Sequence, residues 1–461
     1  MQGQSMKKTG LIFTVAAVML MLTCGMAKAR QTVSAAPGQT QGLTLEQAFQ
    51  TALKENEQVG ISRQDLVNAK TDITSATSNL YPQLSLRGAH NRQKDSDLGG
   101  SSAGGGFSSL SSPDNYNTLT LQLDQHIYQW GKVWSARKIA QHYYESSRYR
   151  HLRRVQEILY QVSVQYYEAL LGRRAVEIAE NALKRAVQQL DRAEAQFRVG
   201  ILTQTDVLRA EVQVAQSREQ LERAKNQYDI ALERLALEMG TDSIAGPIRE
   251  PSERSFGSAP ISELFSRALA NRPDFDQAAR ELEAADQRVD YEKADYFPNL
   301  SLNAQYIRTD EESLFYGEHD DWNASLVLSY PLFTGWQTTA EVDRARSEKS
   351  QAQYSLSRLR KEIRNQVRSV YLDIRTQQKV IDQLEQQVRS ATRNYQQVSA
   401  QFEEGLVTAV DQVDAFTALN EAENRLAQAY YTYQLDLIRL DLATGTFQSD
   451  LLEKEILNEN G

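Results

Sequence analysis

Two stretches of this 461-residue chain can be laid over each other by subtraction, and that constrains the fold more than any other feature. Tyr81-Pro82-Gln83-Leu84-Ser85-Leu86 recurs as Phe297-Pro298-Asn299-Leu300-Ser301-Leu302, a shift of 216 (298 − 82), and Ala52-Leu53 recurs as Ala268-Leu269 at the same shift. Further on, Phe197, Gly200, Thr203, Asp206 and Gly240 meet Phe402, Gly405, Thr408, Asp411 and Gly445 at a shift of 205 (405 − 200). The second copy is therefore 11 residues shorter (216 − 205), and the loss falls between the anchored regions, where each copy carries a polar segment: Arg92 to Asn117 and Thr309 to Asp321. Repeats this long are duplicated domains, unlike the short units of a solenoid. The expected organisation is a leader over 1–29, a first repeat over 30–246 and a second over 247–461.

The leader is read from Met6-Lys7-Lys8, the apolar run Leu11 to Leu22, and Ala27-Lys28-Ala29 with small residues where a signal peptidase cuts. The sole cysteine, Cys24, lies inside it, and Thr23 and Met21 make a poor lipobox around it. Removing Lys7, Lys8 and Lys28 takes the formal charge from −9 to −12, an acidic balance that argues against nucleic acid as a partner. A negative mean hydropathy leaves no later segment that reads as a membrane-spanning helix.

Helix breakers mark the interior. All nine prolines fall outside Asp114 to Ala245 and Leu332 to Gly461, with Pro113 and Pro331 at their borders, so both stretches are helical territory. Two long helices per copy are predicted: about Val133 to Val199 and Thr203 to Met239, then Trp336 to Glu404 and Thr408 to Thr444. At ~1.5 Å per residue the first of each pair is on the order of 100 Å long. Val155, Ile158, Leu159, Val162 and Tyr166 give one of them an apolar seam at helical spacing. Such a seam fits a coiled rod and a helical tube equally well.

Four short segments of period two separate those readings. Leu84, Leu86 and Gly88 alternate with Gln83, Ser85 and Arg87; Leu119, Leu121 and Leu123 with Thr120, Gln122 and Asp124. Leu300, Leu302 and Ala304, then Ala324, Leu326, Leu328 and Tyr330, repeat the pattern. Aromatic residues collect at the helix-proximal ends: Tyr81, Tyr128, Trp130 and Trp134, then Phe297, Tyr330, Phe333 and Trp336. That placement suits the interface of a membrane barrel, with packing at a strand-to-helix turn as the plainer reading. Four strands cannot close a barrel, and a bilayer tolerates no open edge, so the chain either oligomerises or forms a sandwich in water. The glycine-rich run Gly99 to Gly106 opens no helix and is followed by no Gly-Lys-Ser/Thr, so it does not read as a phosphate loop.

These residues resemble the TolC-like outer-membrane efflux proteins over nearly the whole chain after the leader: the Ala-Leu pairs at Ala52 and Ala268, the Pro82 and Pro298 strand starts, Tyr128 and Phe333 followed by Gly131 and Gly335, and the turns at Gly200 and Gly405. The resemblance implies an α+β membrane protein, internally duplicated, with a long periplasmic α-helical barrel and four strands per chain in a trimeric twelve-stranded outer-membrane barrel. It further implies a passive exit duct for efflux or type I secretion in a Gram-negative cell, a periplasmic adaptor, an inner-membrane pump of RND or ABC type, and outer-membrane lipid around Tyr81, Tyr128, Trp130, Phe297, Tyr330 and Phe333. A non-conducting periplasmic scaffold or adhesin is the alternative from another class.

The helix-to-helix turns carry the functional expectations. Gly200 and Gly405 stand where a left-handed residue ends a helix, and Thr203 and Thr408 where the next is capped. By resemblance Val199, Gly200, Ile201, Leu202 and Thr203, with Gly405, Leu406, Val407 and Thr408, form the tip that meets the adaptor. Asp411 and Asp414 are three apart on one helix face; the resemblance implies that they form an acidic ring at the tunnel mouth, against a plainer reading as solvated acids at a helix start. Val407 and Phe402 replace the arginine and tyrosine of the best-known gate, which leaves Arg198, Thr205 and Asp206 as an alternative set. No catalytic motif, cofactor or metal pair is expected; His142 and His151 are nine apart on a helix, and His90 and His126 are candidate strand neighbours lining a barrel.

Overall fold

The computed structural model describes residues 42–92, 115–244, 246–257, 259–311, 319–449 and 451. The signal segment, Cys24 and the Gly99 to Gly106 run lie outside the described residues. In chain order the elements are α1 (Leu45–Glu55), α2 (Glu57–Ser78), β1 (Gln83–Arg92), β2 (Asn115–Tyr128), α3 (Lys132–Arg198), α4 (Gln204–Met239), α5 (Ile261–Asn271), α6 (Pro273–Lys293), β3 (Asn299–Glu311), β4 (His319–Ser329), α7 (Gln337–Glu403) and α8 (Ala409–Thr444). The elements recur at the two shifts: α1 plus 216 is α5, while α3 and α4 plus 205 are α7 and α8.

The long helices run from glycine to glycine because nothing in between breaks them. α3 and α7 are 67 residues each, so each is about 100 Å long. In the half nearer the sheet, α2 and α6 lie along α3, and α6 also lies along α7; in the distal half α3 pairs with α4 and with α8, and α7 with α8. The interior is concentrated midway. There Ala48, Phe49 and Ala52 of α1 meet Leu159, Val162, Tyr166 and Leu170 of α3 and Leu235 and Met239 of α4. The second repeat builds its counterpart from Leu264 and Ala268 of α5, Ile363, Val367, Val370 and Ile374 of α7 and Leu437 and Leu440 of α8.

Two buried polar side chains in this belt, Tyr166 and Arg272, are well satisfied. Tyr166 donates its hydroxyl to Leu43 O (2.8 Å) and Arg249 O (2.5 Å), pinning the bridge between Leu43 and Ile248. Arg272, 2% exposed, grips Asp274 through both ends of its guanidinium and donates to Gln366 Oε1 (2.8 Å) and Ala443 O (3.3 Å). Burial pushes the Asp274 carboxyl up, but the hydrogen bonds and charge of Arg272 outweigh it and hold Asp274 below the usual carboxylate range.

The sheet is antiparallel with order β1-β2-β3-β4, and both outer edges are unpaired among the described residues. The strands run further than the polar segments suggest: β1 reaches Arg92, β2 starts at Asn115, β3 reaches Glu311 and β4 starts at His319. Antiparallel pairing is carried by the backbone, so polar residues at the far end of the sheet do not stop it. Tyr330, read as the end of a strand, falls one residue past β4. His90 lies opposite Asn117 and His126 opposite Ser301, so the two histidines are not neighbours.

Gly240 and Gly445 cap α4 and α8 in the left-handed region (φ +72° and +73°). A Cβ there would lie 2.6 Å from the backbone oxygens of Glu55 and Asn271, at the α1–α2 and α5–α6 joints. At Gly200 and Gly405, also left-handed, a Cβ would meet nothing within 4 Å. Gly240→Ala and Gly445→Ala are therefore expected to cost more than the ~1–2 kcal/mol of the left-handed backbone alone, whereas Gly200→Ala and Gly405→Ala cost no more than that. Thermal melts followed by circular dichroism and oligomer mass check the ordering.

Candidate functional site: membrane sheet and hairpin tips

The sheet separates its side chains by parity. Leu86, Leu121 and Tyr306 with Trp322 are successive partners on one face, as are Leu84, Leu123, Ala304 and Ala324 one layer away. The opposite face carries Arg87, Thr120, Ile307 and Asp321 in one layer and Ser85, Gln122, Gln305 and Asn323 in the next. The first face is apolar and exposed, with Leu326 62% and Trp322 78% accessible, so it has no partner among the described residues. His90 shares that apolar face at its far end, not the polar one expected of a lumen residue; His126 lies on the polar face. At the helix-proximal end Tyr128 meets Trp130 edge-on (5.2 Å) and Trp130 stacks on Phe297 of the other repeat (5.0 Å). Phe333 forms a separate pair with Trp336 (6.0 Å), while Tyr81 and Tyr330 stand apart and exposed.

Opposite the sheet, each long helix turns back through the same construction. α3 ends with Gly200 N donating to Phe197 O (3.0 Å) and Ile201 N to Gln196 O (3.0 Å); α7 ends with Gly405 N to Phe402 O (3.0 Å) and Leu406 N to Gln401 O (2.9 Å). Thr203 and Thr408 then cap α4 and α8, each within a reciprocal box. Asp206 Oδ2 accepts from Thr203 N (3.1 Å) and Oγ1 (2.7 Å), and Asp411 Oδ2 from Thr408 N (2.9 Å) and Oγ1 (2.6 Å). The Thr408 hydroxyl and backbone N–H hold Asp411 below the usual carboxylate range. This depressed value makes the cap complete above the ordinary carboxylate pKa of ~3.9, and it is lost as pH falls through the lower folded value.

Val199, Ile201 and Leu406 project from the turns, and Leu202 and Val407 are partly covered. Asp414 is exposed one turn beyond Asp411. Arg198 does not join Thr205 and Asp206: its Nε donates to Glu194 O (3.4 Å) along its own helix, and Asp206 is occupied by its cap. The two hairpins are tied through other residues. Gln189 Nε2 donates to Gln412 Oε1 (2.8 Å) in a buried contact, Arg185 Nη2 to Asn420 Oδ1 (2.6 Å) and Glu423 Oε2 (3.1 Å), and Gln196 Nε2 to Glu403 O (3.0 Å). Arg192 pairs with Glu403, and Tyr395 meets Phe416 edge-on beneath them (6.1 Å). An apolar groove beside these ties, lined by Leu208, Val212, Val410 and Val413, opens between α4 and α8. The partners are more than 200 residues apart in sequence, which is why spacing alone pointed to none of them.

A sheet with one apolar face and two open edges, continued by helices about 100 Å long, defines one subunit's share of a membrane channel wall with a helical extension. None of the helices among the described residues is long and apolar enough to cross a membrane. The chain belongs to the outer membrane efflux protein family, whose sequence model matches residues 48–241 and 264–446. It is 26% identical over 383 residues to the alkaline protease secretion protein AprF of Pseudomonas aeruginosa, covering 81% of this chain and 78% of that one. It is 24% identical over 431 residues to the outer membrane protein TolC of Escherichia coli, covering 90% and 84%. Among solved structures, the Campylobacter jejuni CmeC outer membrane channel matches with a TM-score of 0.74 at 16% identity, over 95% of this chain and 97% of that one. CusC matches with a TM-score of 0.73 at 17% identity, over 90% and 95%. The chain is thus an exit duct of the bacterial outer membrane, and the scaffold alternative is set aside.

The parity of the sheet sets a direct test. Leu326→Arg places a charge on the apolar face and should cost about 2–4 kcal/mol near the bilayer midplane, whereas Asn323→Arg on the polar face should be tolerated. The yield of folded protein in the outer-membrane fraction distinguishes them; equal yields would mean the faces are assigned wrongly.

Proposed function

We propose that three copies of this chain close a twelve-stranded barrel in outer-membrane lipid and a helical tunnel beneath it. The observation that carries this is that sheet and helix layer are both left open at the flanks of one chain. β1 and β4 each lack one neighbour, and α7 leaves Tyr354 and Leu372 uncovered while α4 leaves Val212 and Leu237 uncovered. An even number of strands keeps β4 antiparallel to β1 of the next copy, so a ring closes without a mismatched pair.

The hairpin tips are the gate and the adaptor contact in this reading. Val199, Gly200, Ile201, Leu202 and Thr203, with Gly405, Leu406, Val407 and Thr408, offer an exposed apolar tip to a periplasmic adaptor, which couples the duct to an inner-membrane pump of RND or ABC type. The duct itself is passive and has no cofactor, and cargo choice belongs to the pump; AprF is named for protease secretion and CusC for cation efflux. Asp411 and Asp414, repeated three times, give the closed mouth a cation-attracting ring. Asp411 stays ionised but is turned to Thr408, so Asp414 is the carboxylate with its oxygens open to a passing cation.

The closed state is held within each chain by the α3 contacts to the second hairpin. The Arg192–Glu403 pair is half-exposed and contributes at most about 1 kcal/mol. The buried Gln189–Gln412 bond matters more, since removing one partner strands the other and costs roughly 1–3 kcal/mol. Gln412→Leu should therefore raise the open probability in a planar bilayer about 5- to 150-fold, with the oligomer intact. Asp414→Asn should reduce cation preference more than Asp411→Asn. Unchanged conductance and selectivity in all three variants would remove these residues from the gate.

A further inference from the structure

We propose that His142, Glu145 and Glu283 form a divalent-cation site that fastens α3 to α6, between the two repeats. His142 and Glu145 are one turn apart on α3, so both project from one face, and Glu283 approaches from α6. One ligand atom from each residue lies within 4.8 Å of the others. His142 Nδ1 is already 3.1 Å from Glu283 Oε2, near the ~3.4 Å between donors that share a tetrahedral ion at ~2.1 Å. That nitrogen is shielded from solvent, and its contact with Glu283 lacks hydrogen-bond geometry, so the carboxylate is its only close polar neighbour among the described residues.

Arg280 occupies the position of a counter-ion: its Nε is 3.1 Å from Glu145 Oε2 and its Nη1 is 2.8 Å from Glu283 Oε2. A dication neutralises the same two carboxylates and also uses the imidazole, which Arg280 cannot. The guanidinium is 36% accessible and can swing into water, so binding is an exchange of Arg280 for the ion. The frame is held one turn further along, where Glu281 Oε1 accepts from Ser146 Oγ (3.1 Å) and Gln277 Nε2 (2.9 Å). One imidazole and two carboxylates suit Zn²⁺ or Cu²⁺ and leave a coordination position for water.

The test uses the untagged, detergent-purified oligomer titrated with Zn²⁺ by calorimetry and with Cu²⁺ by electron paramagnetic resonance. One ion per chain is expected, with hyperfine coupling to a single nitrogen. His142→Ala should abolish that coupling and weaken binding at least tenfold, Glu283→Gln should weaken it comparably, and Arg280→Ala should tighten it several-fold. Circular dichroism and oligomer mass on the same samples establish that each variant is folded. No binding by the wild type at 100-fold excess metal, or binding by folded His142→Ala equal to the wild type, would overturn the site. The readout is binding, so it stands or falls independently of the gate.

Discussion

An open sheet edge cannot persist in a bilayer, because each unpaired backbone N–H or C=O in hydrocarbon costs several kcal/mol with no water to take its place. This chain has two such edges, along the 10 residues of β1 and the 11 of β4. No contact among the described residues relieves them, since β1 ends the sheet on one side and β4 on the other. Everything else follows from closing those edges with further copies. In the proposed ring the helices that continue the strands form a tunnel, with the hairpin tips at its far end.

The two repeats have diverged to fit that arrangement. α3 lies in the interior of the helix layer and buries residues along its whole length, from Val133 through Tyr166 to Ala193. α7 has the same length but buries only Val342, Ala345, Ile363, Val367, Val370, Ile374 and Phe402. A central helix needs apolar residues on two sides, whereas a flanking one leaves the second side to its neighbour in the ring. The polar ties between hairpins follow the same logic: α3 supplies Arg185, Gln189, Arg192 and Gln196 to the second hairpin, while α4 meets it through apolar residues.

Much of this was legible in the sequence, for physical reasons that can be named. Gly200, Gly405 and their following threonines placed the helix ends within one residue, because a left-handed stop and a side-chain cap leave little freedom. Leu84, Leu86, Leu326 and Leu328 fixed the sheet faces, since parity in a strand admits two choices only. Strand ends were misplaced because Asn115 and Thr309 look like loop residues yet pair through their backbones. Within one chain Arg198 bonds along its own helix and Asp206 is claimed by its own cap, local bonds that leave the expected contact between them unmade there. Long-range polar contacts such as Gln189 with Gln412, and the meeting of His142 with Glu283, leave no trace in spacing.

The central claim is that one chain supplies a third of a conducting ring. Mass in detergent and single-channel conductance, measured on one preparation of the mature protein, address it together. The account predicts three chains per particle and small, cation-selective currents. A particle of one chain that never inserts into a bilayer would contradict it.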